Sequence, residues 1–473
     1  MTAEPASPTV PFGDHVARAH ARGSLVVQPR MGMSRPDRMR AGLRATRGAA
    51  ASTVGTITVD SYTRTGDTAA ARRAVARGLA LNGYPITVHQ PAVTRQVLRG
   101  IADDGFPVQV RHGSARPEEI VAALLAAGLD ATEGGPVSYC LPYSRVPLNV
   151  AVAAWERGCA LLAEAQRTGA RPHLETFGGC MMGQLCPPGL LIALSVLEAL
   201  FFRQHGLRSV SLSYAQQANA RQDEESVIAL SRLAAALLPD VQWHIVVYAH
   251  MGMYPLTPGG ARLLLREAAR LAVRTGAARL IVKTTAEAHR IPTVAENVTA
   301  LETAASAAGA ASRASSARAS APPPVGSRPV EALPAGSPTA GSPAAEAPDT
   351  GIHAEASALI DAVLDLDPDI GRALVTAFAR GYLDVPFCLH PDNAGRTRSG
   401  LDADGRLYWS AAGAMPLPAR PERGSPPILG SDGLMAALSY VQRTFDRRAR
   451  TESARHPRDP RITQTTDRGE HQT

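Results

Sequence analysis

Lys283 is the only lysine among the 49 lysines and arginines of this 473-residue chain. It sits in LIVKTTAEAHRIPT (280–293), where Leu280–Val282 reads as a short buried strand and Glu287 follows four residues on. A sequence that uses arginine wherever arginine serves keeps a lysine where a compact ammonium is needed instead of a planar fork. Arg30, Arg64 and Arg111 each lie within a few residues of another apolar run. Converging on one cavity, they would clamp carboxylates bidentately, and a small di-acid needs several such donors. Taken singly, an arginine here more often faces solvent, as an exposed lysine also does. ATEGGPVSYCLPYSR (131–145) gathers Glu133, Tyr139 and Tyr143 around Gly134, Gly135 and Pro142. Glycines let the backbone approach a ligand, and tyrosines bring hydrogen bonds and an apolar wall. Glu133, the candidate catalytic residue, can accept from a substrate ammonium or take a proton. The alternative is a tight turn with core tyrosines. HLETFGGCMMGQLCPPG (173–189) has glycines and prolines able to close over a ligand, but no base to activate its cysteines. HMGMYP (250–255) offers His250 and Tyr254 as a wall.

Those residues need a scaffold, and Val/Ile-rich runs alternating with Ala/Leu/Arg helices supply one of βα type. The strand candidates are Ser24–Val27, Thr56–Val59, Pro85–Val88, Pro107–Val110, Val137–Tyr139, His173–Thr176, Val210–Ser213, His244–Tyr248 and Arg279–Val282. Nine is one too many for an eight-stranded barrel, and the surplus strand is expected at Pro85–Val88 or Val137–Tyr139. Gln28, Asp60, Arg111, His112, Glu175, Tyr214 and Lys283 fall at the carboxyl ends of these runs, whereas the helix-to-strand returns are bland. Active sites of (β/α)8 barrels form around that whole rim, and those of doubly wound sheets at one crevice. The expected fold is an α/β, (β/α)8 TIM-type barrel with a smaller C-terminal α+β segment.

The expected organisation is a polar leader at 1–20, the barrel at 21–303 and an Ala/Ser/Pro-rich disordered linker at 304–350. A C-terminal helix and hairpin segment follows at 351–446, then a disordered tail at 447–473. The net charge of +7 resides in the ends: residues 1–50 and 443–473 together carry +8, leaving −1 for the interior. With 4% aromatics there is neither a basic stripe nor a stacking platform, which argues against nucleic acid. Five dispersed cysteines without a CxxC pair fit reduced thiols in the cytoplasm. No signal peptide and no membrane-length apolar run are read. P-loop, GxGxxG and HExxH motifs are missing, so any cofactor lacks a local fingerprint.

VQPRMG, TVDSYTR, LNGYP, VQVRHG, ATEGGPVSYCLPY, FGGC…PP and LIVKTTAEAHRIPT stand in an order and spacing that resembles the large (epsilon) subunit of methylaspartate mutase, also called glutamate mutase. The likeness covers roughly 20–303 and resumes at 352–418. It implies an isomerase using adenosylcobalamin to interconvert L-glutamate and (2S,3S)-3-methylaspartate by a radical route. It also implies a small cobalamin-binding (sigma) subunit as partner, in a heterotetramer of two large and two small chains. By that resemblance Arg30, Arg64 and Arg111 hold the substrate carboxylates with His112 adjacent, and Glu133, Tyr139 and Tyr143 contact the substrate. Gly32, Asn82, Pro142, Tyr254, Lys283, Glu287 and Ile291 would contact the cofactor, Lys283 and Glu287 at its ribose. The chain has no DxHxxG signature, so the cobalt-ligating histidine would come from the partner. Two departures stand out: the 304–350 insertion, and Tyr254 where the family can carry Phe.

Rival readings are a Schiff-base aldolase or lyase using Lys283 on a small di-acid, the same scaffold acting on a related acid, and a non-catalytic arginine-lined binding protein.

Overall fold

The computed structural model describes residues 11–103, 105–181, 185–319, 350–418 and 430–455. Short Val/Ile-rich runs, each followed by a helix, can satisfy their backbone only by pairing in parallel, and they do so as one ring. Its strands are Val26–Gln28 (β1), Gly55–Thr58 (β2), Val108–Arg111 (β3), Ala131–Gly134 (β4), His173–Thr176 (β5), Ser209–Ala215 (β6), Gln242–Tyr248 (β7) and Arg279–Ile281 (β8). The hydrogen-bonded order is β1-β8-β7-β6-β5-β4-β3-β2. A parallel bridge from Val27 to Thr53 closes β1 onto the approach to β2. The fold is the (β/α)8 barrel that the sequence implies.

Two of the nine expected strands are not strands, and one real strand was not among them. Pro85–Val88 follows a single bridge, Val59 to Tyr84, and turns away with Val88 and His89 donating back to the Pro85 carbonyl. Val137–Tyr139 coils into turns, because the Ser138 N–H is taken at 2.9 Å by a buried carboxylate, Glu198. β4, ATEG, supplies the missing strand; alanine and glycine give it little intrinsic β-preference, and its pairing with β3 and β5 decides its state.

Helices surround the ring. Helix Pro188–Gln204 is buried on all sides over residues 188–202, since strands line one face and helix Ile352–Leu364 covers the other. The C-terminal segment expected as one helix to about Phe378 is two, Ile352–Leu364 and Ile370–Arg380, broken at the Asp-Pro-Asp run. A hairpin follows, Arg398–Leu401 with Leu407–Ala411, its turn set by Asp402 accepting from the Asp404 and Arg406 N–H groups.

The stretches expected as a polar leader, a disordered linker and a disordered tail are partly helical. Helix Phe12–Ala21 buries Phe12, Val16 and Ala19, an i, i+4, i+7 stripe, in the stretch read as a polar leader. Helix Val294–Ala319 runs well past residue 304, because alanine is the strongest helix former even where little apolar surface is buried. Helix Tyr440–Arg455 passes residue 446 and packs Val441, Phe445 and Ala449 on Leu264. The rest of the expected linker and tail lies outside the described residues.

The barrel lumen carries a polar layer. Gln28 Nε2 donates to Thr56 Oγ1 at 2.9 Å and to Gln109 Oε1 at 2.8 Å. Arg279, 0% exposed, donates to Gln28 and pairs with Glu175, itself 0% exposed. An ion pair this deep offsets its desolvation only where further hydrogen bonds satisfy both partners.

Candidate active site

Strand register, more than sequence proximity, assembles the site. β3 and β4 pair Gln109 with Ala131 and Val110 with Thr132, so Arg111 and Glu133 come next, side by side. Their Nη2–Oε2 distance is 2.7 Å. β4 and β5 pair Glu133 with Glu175, which puts two carboxylates at one level of the lumen. Arg111 beside the first and Arg279 beside the second offset that repulsion, and the Tyr248 hydroxyl at the end of β7 reaches both. At the end of β2, Asp60 caps helix Ser61–Thr65 by accepting from the Tyr62 and Thr63 N–H groups at 2.9 and 3.1 Å. Arg64 is thereby carried to the rim one turn later.

The result is a cavity of about 370 Å³ at the carboxyl ends of the strands, within the range of small-molecule sites. Arg30, Arg64, Arg111, His112, Glu133, Tyr139 and Tyr143 all line it. Arg30 and Arg64 form no ion pair among the described residues. Arg111 has one arm on Glu133, but its Nη1 is buried with no hydrogen-bond partner. Burial opposes its charge, yet Glu133, Tyr248 and Glu175 hold the guanidinium above its ordinary pKa. Burial, then the neighbouring Arg111, push His112 down to about 3, so the imidazole is neutral. Its Nδ1 accepts from the Ser114 N–H at 3.0 Å, which leaves the proton on Nε2, a buried donor without a partner. Burial and the charge of Glu175 raise Glu133 against the pull of Arg111. Glu175 is lowered, because Arg279 and Arg111 override its burial. Net positive charge, two orphan donors and one carboxylate of raised pKa make a receptor for an anion that also carries a cationic group.

The residues expected on the cofactor side divide. Gly32, Asn82, Glu287 and Ile291 line the same cavity. Gly32 is glycine for a packing reason: an added Cβ would overlap the Thr58 carbonyl oxygen. Asn82 pins the turn after β2, accepting from the Ser61 N–H at 3.0 Å and donating to Ser61 Oγ at 2.6 Å. Lys283, 7% exposed, lies just behind the wall, with Nζ 3.8 Å from Glu287 Oε2 and 5.1 Å from the Tyr254 ring centroid. Burial, then Arg30, lower its pKa to about 8. Tyr254 is buried against Leu264, Val441 and Phe445 and presents only its ring toward Lys283. Pro142 lines a separate recess with Tyr143, Phe387 and Leu389. His250 is buried, its Nδ1 3.0 Å from the Gln216 carbonyl oxygen and its Nε2 without a hydrogen-bond partner among the described residues.

Sequence reading missed three residues and misassigned two loops. Tyr248 and Arg279 had a signal, a tyrosine ending one buried strand and an arginine opening another. Glu198 carries no such signal, since in the sequence it merely interrupts the apolar run Gly189–Phe202. Burial pushes it up to about 7, and it accepts from the Ser138 N–H, Ser138 Oγ, Phe177 N–H and Gly178 N–H at 2.8 to 3.2 Å. It thus ties the loop after β4 to the loop after β5. The glycines of both loops, expected to approach a ligand, instead approach the protein itself: a Cβ at Gly135 would overlap the Glu198 carboxylate, and one at Gly179 the Ser213 carbonyl oxygen. Gly179→Ala is therefore expected to cost about 3 kcal/mol by overpacking, read as a lower urea midpoint with an unchanged m-value.

Comparison with known proteins shows the family. The chain matches the methylaspartate mutase E chain family over residues 8–315 and 341–423. It is 30% identical over 368 residues to the glutamate mutase epsilon subunit of Halobacterium salinarum, covering 76% of this chain and 71% of that one. With the glutamate mutase epsilon subunit of Desulfitobacterium hafniense it shares 29% over 419 residues, 86% of this chain and 81% of the other. Among solved structures, tryptophan synthase subunit alpha from Legionella pneumophila aligns at 12% identity and a TM-score of 0.30, over 63% of this chain and 97% of that one. No helix among the described residues is long and apolar enough to cross a membrane. The length and identity of the sequence match settle the family: this chain belongs to the methylaspartate mutase E chain family, the mutases whose members are named glutamate mutase epsilon subunit.

Proposed function

We propose that this chain is the substrate-holding subunit of a cytoplasmic, adenosylcobalamin-dependent mutase interconverting L-glutamate and (2S,3S)-3-methylaspartate. The observation that carries the reading is the charge pattern of the cavity. Arg111 Nη1 and His112 Nε2 are donors in want of an acceptor and suit one carboxylate. Arg30 and Arg64 suit the other, and Glu133 suits the ammonium. An amino di-acid satisfies all of them together, whereas a simple di-acid leaves Glu133 idle.

The cofactor side is compatible with the coenzyme. The Lys283 ammonium is buried over the Tyr254 ring, and its one ion pair among the described residues is the 3.8 Å contact with Glu287, so a donor and an acceptor stand side by side, as a ribose diol requires. Ile291, 65% exposed, and Leu256, 52% exposed, leave apolar surface at the rim for a flat macrocycle or the partner carrying it. When bound, the coenzyme supplies homolysis of a cobalt–carbon bond, one-electron chemistry that no side chain here provides. The arginines hold both ends of the acid through a rearrangement in which its skeleton parts and rejoins. The Tyr139, Tyr143 and Phe177 rings wall the acid from water. A small cobalamin-binding subunit would complete the site, two of each chain forming the assembly.

The test is formation of 3-methylaspartate from L-glutamate by the purified chain with a cobalamin-binding small subunit and adenosylcobalamin. Turnover of a related acid in place of glutamate would overturn the substrate assignment. Lys283→Arg is expected to keep the fold and raise the Kd for adenosylcobalamin about 10–100-fold, because a guanidinium neither fits nor rotates as an ammonium does. In the unaltered protein, coenzyme affinity should fall as pH rises through about 8, where Lys283 loses its proton. That lowered pKa also favours the Schiff-base reading, which borohydride trapping of a keto acid on Lys283 would establish.

A further inference from the structure

Three oxygen–oxygen contacts join four side chains beneath the cavity. Tyr139 Oη meets Glu133 Oε1, Tyr248 Oη meets Glu133 Oε2 at 2.9 Å, and the same Tyr248 Oη meets Glu175 Oε1. Each such contact needs one hydrogen between its oxygens. Two phenols bring two hydrogens, so the third belongs to a carboxyl group. Glu175 is the poorer holder: its Oε2 accepts from Arg279, from Gln109 Nε2 at 3.2 Å and from Ser211 Oγ at 3.3 Å, an ion pair sealed in the lumen. Glu133 has a single cation, Arg111, at 2.7 Å. Around it stand Arg111 from β3, Glu175 from β5, Tyr248 from β7, Tyr139 and Tyr143 from the loop after β4, and Cys180 from the loop after β5.

We infer that Tyr248 is a positioning residue that commits its one hydroxyl hydrogen to Glu175, so that Glu133 keeps the third hydrogen in the free protein, donates it to the Tyr248 oxygen, and gives it up when an ammonium group binds. The balance is simple. Protonated Glu133 plus the substrate ammonium gives a carboxylate–ammonium pair and one proton released to solvent. The directions of the Glu133 and Glu175 shifts agree with this count. The inference rests on the proposed role of Glu133 as the partner of the substrate ammonium. Its consequence is that affinity for L-glutamate rises with pH through the Glu133 titration, while affinity for glutarate, which lacks the ammonium, does not.

The experiment is calorimetric titration of the full chain assembled with its small subunit and a cobalamin lacking the adenosyl group, so that no turnover occurs. Buffers of low and high ionisation enthalpy, phosphate and Tris, then count the protons exchanged. The expected result is about one proton released per L-glutamate bound and none per glutarate, with the release lost in Tyr248→Phe. That variant keeps the ring, its 5.6 Å packing on Phe177 and its 5.0 Å stacking under Arg111. It removes the oxygen that receives the Glu133 proton and the hydrogen committed to Glu175, but Glu175 keeps its pairing with Arg279, so it should fold. A merely structural role for Tyr248 would weaken binding at every pH without changing the proton count. Wild-type protein that binds glutamate without proton release, or Tyr248→Phe releasing as much as wild type, overturns the inference alone. Wild-type protein that binds no glutamate overturns the substrate reading and this inference with it.

Discussion

Arg111→Lys is expected to lower kcat/KM for L-glutamate about 10–10²-fold while leaving the denaturation midpoint nearly unchanged. Lysine keeps a positive charge beside Glu133, so no buried carboxylate is left unpaired and the largest folding penalty is avoided. What disappears is the fork. One arm of Arg111 is on Glu133 and the other, Nη1, has no partner among the described residues. A charge-assisted hydrogen bond is worth about 1.5–3 kcal/mol, and a single ammonium cannot serve Glu133 and a carboxylate in the guanidinium's planar geometry. Arg64→Lys gives the comparison, because Arg64 is exposed at the rim and in no ion pair among the described residues. A loss of about tenfold or less is expected there. Equal losses at both positions in steady-state kinetics would mean that Arg111 has no special claim on the substrate.

Glu133→Gln is expected to reduce kcat/KM for L-glutamate by about 10²–10³-fold, for a different reason. The amide has nearly the shape of the protonated acid and can still bond Tyr139 and Tyr248, so the four-residue cluster survives. It offers no charge to an ammonium, and a buried cation deprived of its counter-ion costs about 3–5 kcal/mol. Glutarate separates the causes, since it presents both carboxylates and no ammonium. Its binding should change only a few-fold in the variant. An equally large loss with glutarate would show that Glu133 shapes the cavity and does not read the amino group.

The two variants probe what strand register brings together, and the sequence shows only half of that. Alternation of apolar runs and helices, with polar residues gathered at the carboxyl ends, was enough for the barrel and for the face that carries the site. Arg30, Arg64, Arg111 and His112 were legible that way, Glu133, Tyr139 and Tyr143 from the glycine-rich segment 131–145, and all seven line the cavity. β4 was not legible: four residues of modest β-propensity become a strand only because β3 and β5 are already beside them. Nor were the loop glycines, which make room for Glu198 and Ser213 of this same chain, atoms far off in sequence.

The sequence by itself determined the family, the barrel class and many of the residues facing the cavity. Those follow from local pattern and from motifs read in order. Only the tertiary structure decided how they are charged. Glu133 and Glu175 sit level in adjacent strands, Tyr248 spans them from β7, and Arg279 rises beneath from β8. Coulomb interactions and shared hydrogens act across a few ångströms of buried space, where the effective dielectric is low, and no spacing along the chain encodes which groups will share them.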